Sequence, residues 1–182
     1  MATVEKLITA EEFGRMPDNG HRYELVRGVL VEMNMPKPRH GQVCGRVQRF
    51  VANFCDDSIG HVLSNDSGVI TEHDPATVRG ADICFYPYSK VPKGPLGNEY
   101  LKIPPDVVFE VLSHDDRPGR VMRKTREYLN AGVLAVVIID PADEAVDVHR
   151  ANGSVDSVTL DGVLTVPEIS PDFALNVRSL FE

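Results

Sequence analysis

The sequence predicts a mixed α/β domain, in which a mixed central sheet is flanked by helices. Segments with helical spacing of apolar residues alternate along the chain with segments of strand spacing. One strand–helix–strand unit over 106–140 predicts a parallel crossover. Val133–Asp140 is almost continuously apolar, as expected for a strand covered on both faces. The length of 182 residues suits a single domain over 1–182.

Each element has a local signal, and the loops between them are marked by turn residues. Asn152-Gly153 predicts the turn of a hairpin, and Asp115-Asp116 can cap a helix that has Pro118 in its first turn. In chain order, the predicted elements are a helix over 3–16, a hairpin of 23–26 with 29–33, a helix over 40–54, strands over 62–70 and 81–86, a loop over 87–105, a strand over 106–112, a helix over 117–131, a strand over 133–140, a hairpin of 146–150 with 154–160, and short strands and turns from 162.

Composition and charge exclude several classes of protein. No apolar run is long enough to cross a membrane, and the three cysteines are too widely spaced for a disulfide scaffold or a Cys-x-x-Cys zinc site. The first residues lack a basic segment followed by an apolar one, which is the pattern of a secretory signal. We therefore expect a cytoplasmic protein. A net charge of −8 argues against tight non-specific binding to duplex DNA. Five basic residues between 117 and 126 could nevertheless hold phosphates, or form a solvated helix face.

Glu110 is the most informative residue, because it interrupts the apolar strand Val107–Leu112. Period-two alternation places it on one face of that strand with Val108 and Leu112. A buried carboxylate needs compensation from a cation, a metal ion or a raised pKa. A simple buried salt bridge stays open as the structural alternative.

Asp82 and Lys124 extend this hypothesis. Asp82 lies near the start of its own strand, so it could meet Glu110 at one end of the sheet, where a divalent cation would relieve the repulsion between two carboxylates. Helical angles place Lys124 beside the buried face of its helix, so its ammonium group can reach the sheet. The alternatives are a strand-edge aspartate and a surface lysine.

Six short motifs occur in an order and spacing that resemble the Uma2 (Uma-two) family of restriction-endonuclease-like proteins, a branch of the PD-(D/E)XK nuclease superfamily. Ala81 stands where the family often has proline, and Leu112 stands where the superfamily has a lysine on the strand. The motifs are Tyr-Glu-Leu-Val-Arg-Gly (23–28), Pro-Arg-His (38–40), Arg-Gly-Ala-Asp-Ile-Cys-Phe (79–85), Asp-Val-Val-Phe-Glu-Val-Leu-Ser (106–113), Arg-Lys-Thr-Arg-Glu-Tyr (123–128) and Ala-Gly-Val (131–133).

The resemblance implies a restriction-endonuclease-like core and a divalent metal, Mg²⁺ or Mn²⁺, at Asp82 and Glu110. It implies that Lys124, from the adjacent helix, takes the place of the strand lysine. Glu24 matches an early glutamate of the family, which would be a further metal ligand or a base. His40 matches a recurrent histidine, with a catalytic role or a helix-capping role open.

The resulting hypothesis is a metal-dependent endonuclease acting on nucleic acid, with DNA the expected substrate. Arg117 and Arg120 would position flanking phosphates, and an isologous homodimer is the expected oligomer. The alternatives are a non-catalytic member of the fold that binds nucleic acid or protein, and a hydrolase of mononucleotides or other phosphate esters. The sequence has no Gly-x-Ser-x-Gly elbow and no Gly-rich phosphate loop after a strand, which argues against a serine hydrolase and a nucleotide-binding fold.

Overall fold

The structure is a computed structural model that describes residues 7–182. It has three α-helices, ten strands and one 3₁₀ helix in the part of the chain described. The elements are α1 (Ala10–Gly14), β1 (Tyr23–Val26), β2 (Val29–Glu32), α2 (Pro38–Cys55), β3 (Gly60–His73), β4 (Ala76–Pro87), β5 (Val107–Val111), α3 (Pro118–Asn130), β6 (Ala135–Asp140), β7 (Ala145–Arg150), β8 (Val155–Val158), β9 (Val163–Thr165), β10 (Ala174–Asn176) and a 3₁₀ helix (Val177–Leu180).

Eight of the strands form one mixed sheet, in the order β2-β1-β4-β5-β6-β7-β8, with β3 paired to β4. All pairs are antiparallel except β5 with β6, which are joined through α3 and run parallel. This confirms the mixed fold class and the parallel unit over 106–140. The N-terminal hairpin β1–β2 and the C-terminal hairpin β7–β8 also form as predicted.

The strands predicted over 62–70 and 81–86 are longer in the structure and form one hairpin. Pairing of β3 with β4 extends from Gly60 opposite Pro87 to His73 opposite Ala76. The ladder is interrupted between Ser64 and Ser67, where Asn65 and Asp66 have φ angles of 66° and 55°. The prediction was too short because residues 71–80 are mostly polar and lack the apolar alternation of a half-buried strand.

The first helix is shorter than predicted, and its start is set by a capping box. The hydroxyl of Thr9 accepts the N–H of Glu12, and the Glu12 carboxylate accepts the N–H of Thr9, so the helix begins at Ala10. Residues 3–6 of the predicted helix lie outside the described residues.

The predicted cap of α3 is wrong, although the helix itself forms where expected. Arg117 is the N-cap residue and makes no side-chain cap hydrogen bond. Asp116 instead accepts the N–H and the hydroxyl of Ser113, and Asp115 pairs with Lys37 at 3.0 Å. The backbone N–H groups of the first turn of α3 therefore have no side-chain cap at the N-cap position.

Helices pack on both faces of the sheet over separate apolar clusters, and a third, smaller cluster packs against α1. On one face, α2 and the C-terminal segment with β9 and β10 cover alternate residues of β4, β5 and β6, including Ile83, Phe109 and Val137. On the other face, α3 packs over Cys84, Val108, Val136 and their neighbours. None of the helices in the described residues is long and apolar enough to cross a membrane.

Candidate active site

Asp82 lies where β4 and β5 separate. Their pairing ends at Ile83 opposite Phe109, and beyond that point the backbone N–H of Val111 donates to Asp82 Oδ2 at 2.8 Å. The side chain therefore replaces a ladder partner, and it is only 10% exposed. In this gap between strands, the carboxylate can interact with groups from both faces of the sheet.

His40, near the start of α2, is the partner of Asp82 on one face. Its Nε2 lies 3.4 Å from Asp82 Oδ2. The hydrogen bond to Asp82 raises the pKa of His40 above its ordinary value, although burial opposes the shift. Burial alone would raise the pKa of Asp82, but His40 by its hydrogen bond and charge, together with the charge of Lys124, lowers it. The pair therefore favours an imidazolium beside a carboxylate.

Glu110 faces the other side of the sheet, towards α3. Its Oε2 accepts from Lys124 Nζ at 2.7 Å, and its Oε1 accepts from the Tyr128 hydroxyl at 2.8 Å. Burial raises the pKa of Glu110 to about 8, and the charge of Asp82 adds to the rise, while Lys124 and Tyr128 oppose it. The two carboxylates are thus close enough to repel each other.

Lys124 reaches the sheet from α3, as its helical angle predicts. Besides Glu110, its ammonium group donates to the carbonyl of Gly80 at 2.8 Å and lies 3.4 Å from Glu24 Oε1. Burial alone would lower the pKa of Lys124, but the charges of Glu110 and Glu24 raise it. The ammonium form is therefore held in place among three acceptors.

Glu24 is fixed by protein donors on both oxygens. Arg79 Nη1 donates to Oε2 at 2.7 Å, and the N–H of Gly80 donates to Oε1 at 3.1 Å. Arg79 also donates to Glu127 at 2.6 Å, which ties β4 to α3. These contacts favour a positioning role for Glu24, and its role as a metal ligand stays a prediction.

Sequence reasoning missed several residues of this site. The sequence pattern assigns no role in the site to Arg79 and Tyr128, although both lie inside the quoted motifs, and none to Cys44. Asp66 lies on the interrupted part of β3, where burial raises its pKa, the charge of Asp82 adds to the rise, and the charge of Arg22 opposes it. The polar run 64–67, between the apolar pairs at 62–63 and 69–70, could have indicated an irregularity, but not its approach to Asp82.

Two clefts flank the central residues. A cleft of about 560 Å³ lies between the start of α2, the start of α3 and the strands β6 and β7, and is lined by Lys37, Arg39 and His40 among others. A smaller one of about 230 Å³ is lined by Glu24, Glu110 and Lys124 together with Arg120. Arg120 thus borders the centre, whereas Arg117 is exposed and lines neither cleft.

The donor set fits a divalent cation. Glu110 is a buried acid whose anion is disfavoured, and it lies near the carboxylate of Asp82, so a cation between them would relieve both burial and repulsion. Among the described residues, the cluster with three possible ligand atoms within 4.8 Å of one another is His40, Cys44 and Asp82.

Comparisons with known proteins agree with this fold. A family profile described as "Uma2: Putative restriction endonuclease" matches residues 10–178. A solved structure from Anabaena variabilis ATCC 29413, described as "a putative nuclease belonging to DUF820", superposes with a TM-score of 0.82. It is 22% identical over 96% of this chain and 97% of that chain, which shows a common fold. A comparison with curated proteins finds no match.

Proposed function

Because this chain belongs to the Uma2 family of restriction-endonuclease-like proteins, we propose that it hydrolyses phosphodiester bonds of DNA with Mg²⁺ or Mn²⁺ held by Asp82 and Glu110. The observation that carries the proposal is the buried pair of Glu110 and Lys124 beside Asp82, with the ammonium 2.7 Å from the carboxylate. The charge of Asp82 on β4 acts on Glu110, and the charge of Lys124 acts on Asp82, although Lys124 is not on the strand.

The metal would supply Lewis-acid activation, polarising a phosphoryl oxygen and lowering the pKa of a bound water. Oxygen ligands suit Mg²⁺ and Mn²⁺, and Asp82 and Glu110 offer them from neighbouring strands.

Lys124 supplies the positive charge of the proposed centre. It is fixed by Gly80 and Glu24 as well as by Glu110. A fixed ammonium stabilises negative charge that develops on the phosphoryl group, because it needs no reorganisation when the charge appears. Lys124 would also orient the attacking water by hydrogen bonding.

The remaining residues of the site would bind the substrate or position the central side chains. Arg120 borders the smaller cleft and would hold a flanking phosphate, with exposed Arg117 contributing at longer range. Glu24 and Arg79 keep Lys124 and the backbone at Gly80 in place. His40 would orient Asp82 through its 3.4 Å contact.

The proposed function also includes a substrate, a cellular location and an oligomeric state. DNA is the proposed substrate, the cytoplasm the proposed location and an isologous homodimer the proposed oligomer, in which two sites could face two strands.

A non-catalytic member of the fold that binds nucleic acid is the competing function. It is favoured by the partners that Glu110 already has in Lys124 and Tyr128, which satisfy the carboxylate without a metal.

Nicking of supercoiled plasmid in Mg²⁺ or Mn²⁺ tests the proposal. Glu110→Gln and Asp82→Asn should each reduce the nicking rate on the order of a hundredfold or more, because each removes an anionic ligand of the proposed metal. Glu32→Gln is the matched control: it lies on β2, is 60% exposed and should nick like the wild type. Nicking that persists in the presence of a chelator, or in both active-site variants, would contradict the assignment of Asp82 and Glu110 as metal ligands. Metal-independent DNA binding without nicking would favour the competing function.

A further inference from the structure

His40, Cys44 and Asp82 form a cluster of three different ligand types beside the proposed centre. His40 and Cys44 are four residues apart on α2, so they share one face of the helix. Cys44 Sγ lies 3.5 Å from His40 Nδ1 and 3.9 Å from Nε2. His40 Nε2 lies 3.4 Å from Asp82 Oδ2. The three side chains thus surround a common point from a helix and a strand.

Two of these separations match edges of a tetrahedral metal site, and the third ligand pair, Cys44 and Asp82, lies within 4.8 Å. With ordinary zinc bond lengths, tetrahedral ligands place sulfur about 3.6 Å from nitrogen and nitrogen about 3.4 Å from oxygen. The observed 3.9 Å and 3.4 Å from His40 Nε2 differ from these values by a few tenths of an ångström at most. Binding would therefore require rotation of side chains but no rearrangement of the backbone.

The ligand types select the class of cation. Mg²⁺ takes oxygen ligands, whereas a set of nitrogen, sulfur and oxygen suits borderline-soft ions such as Zn²⁺ and Co²⁺. We propose that His40, Cys44 and Asp82 form a binding site for a divalent ion of the Zn²⁺ class, distinct in ligand set from the Mg²⁺ site of Asp82 and Glu110.

The surroundings of the cluster favour a cation and leave it accessible. Asp66 and Glu110, besides Asp82, direct negative charge at the Cys44 sulfur. His40 also lines the larger cleft, so an ion can enter from solvent and a water can complete the fourth position. On binding, the metal–sulfur bond forms as the S–H bond of Cys44 breaks, the metal–nitrogen bond forms as the Nε2–H bond of His40 breaks, and both protons pass to solvent.

One consequence rests on the proposed function. Asp82 belongs to both ligand sets, and an ion at His40 and Cys44 would compete for its carboxylate. Micromolar Zn²⁺ should then slow Mg²⁺-dependent nicking in the wild type and much less in Cys44→Ser. The binding experiment below does not depend on nuclease activity.

Spectroscopy with Co²⁺ tests the site on the full-length, reduced protein. The wild type should show the near-ultraviolet absorption of a thiolate–Co²⁺ bond with one ion per chain, and Zn²⁺ should displace it. Cys44→Ser should lose the band, and His40→Gln should bind Co²⁺ at least about tenfold more weakly. Cys55→Ala, which removes the thiol at the other end of the same helix, is the matched control and should keep the band.

The outcomes separate the two proposals. A thiolate band that persists in Cys44→Ser, or no band in a wild type that is folded by circular dichroism, would overturn the site. A band that depends on Cys44 in a protein without nicking activity would support the site and contradict the proposed function instead.

Discussion

The two faces of strand β5 differ sharply, although they belong to five consecutive residues. Val107, Phe109 and Val111 point into an apolar core under α2 and the C-terminal segment, at exposures of 0%, 0% and 3%. On the other face, Val108 is apolar but Glu110 carries a carboxylate held by Lys124 and Tyr128. One strand therefore contributes packing to one side of the sheet and a charged centre to the other.

The two faces show how a charged side chain can be accommodated inside a sheet. The apolar face needs no specific partner, because burial of apolar area is non-directional. The charged face is tolerated only where every group has a partner, and here Glu110, Lys124, Glu24, Arg79 and Glu127 form one connected network. A network of that kind fixes side-chain positions, which is also what a catalytic centre requires.

The apolar face should give the largest loss of stability. Phe109→Ala removes a fully buried ring between β4 and β6, and we expect the free energy of unfolding to fall by about 4 kcal/mol in urea denaturation. Val29→Ala, at a position 49% exposed, is the control and should change it by less than about 0.5 kcal/mol. Equal effects of the two variants would contradict the burial of Phe109.

On the charged face, a substitution should lower the free energy of unfolding by a smaller amount. A second substitution should partly restore the stability. Lys124→Met leaves the buried Glu110 without its cation and should cost about 3 kcal/mol of unfolding free energy. Above the Glu110 pKa of about 8, adding Glu110→Gln removes the uncompensated charge, so the double variant should be more stable than Lys124→Met alone. Denaturation of the four proteins of this double-mutant cycle measures the coupling. Additive effects would show that the two side chains are not an ion pair.

The smallest effect should come from the pair of His40 and Asp82, and it should depend on pH. The folded-state pKa of His40 is raised above 6.5, so its stabilisation is complete below that value and is lost as the pH rises through the folded-state pKa. The pKa of Asp82 is lowered below 3.8, so its stabilisation is present above that value and is lost as the pH falls through the folded-state pKa. Between these limits, Asp82→Asn should cost on the order of 1 kcal/mol.

Titration of the His40 ring by NMR gives the direct measurement. Its pKa should lie above 6.5 in the wild type and fall in Asp82→Asn. An unchanged His40 titration would show that the 3.4 Å contact carries no charge interaction.

Much of the fold could be predicted because its signals are local. The apolar stripe of α2, the Asn152-Gly153 turn and the apolar run of β6 each depend on neighbours in sequence. The long hairpin of β3 and β4 was underestimated because its distal part is polar and is held by cross-strand pairing. The prediction of the α3 cap was wrong because Asp116 accepts a hydrogen bond from Ser113. Local sequence does not distinguish this bond from a helix cap.

The candidate site was predictable in its chemistry and less so in its contacts. A glutamate in an apolar strand requires a partner, and a lysine beside the buried face of the next helix was a candidate for it. The hydrogen bond of Tyr128 to Glu110 and the bridge from Arg79 to Glu24 and Glu127 join residues 18 to 55 positions apart. Pattern and spacing do not show which of several polar residues will be the partner, because the distances between them depend on how the elements pack.

The kinds of element, the mixed fold class and a carboxylate at an apolar strand position all follow from the amino-acid sequence, since periodicity and residue type are properties of short segments. The contact of Lys124 with Glu110, the position of Asp82 between β4 and β5, and the approach of Cys44 and Asp66 to it depend on the packing of the elements. The physical reason is that electrostatic and ligand contacts require a few ångströms between atoms far apart in sequence, and sheet pairing and helix packing set those distances.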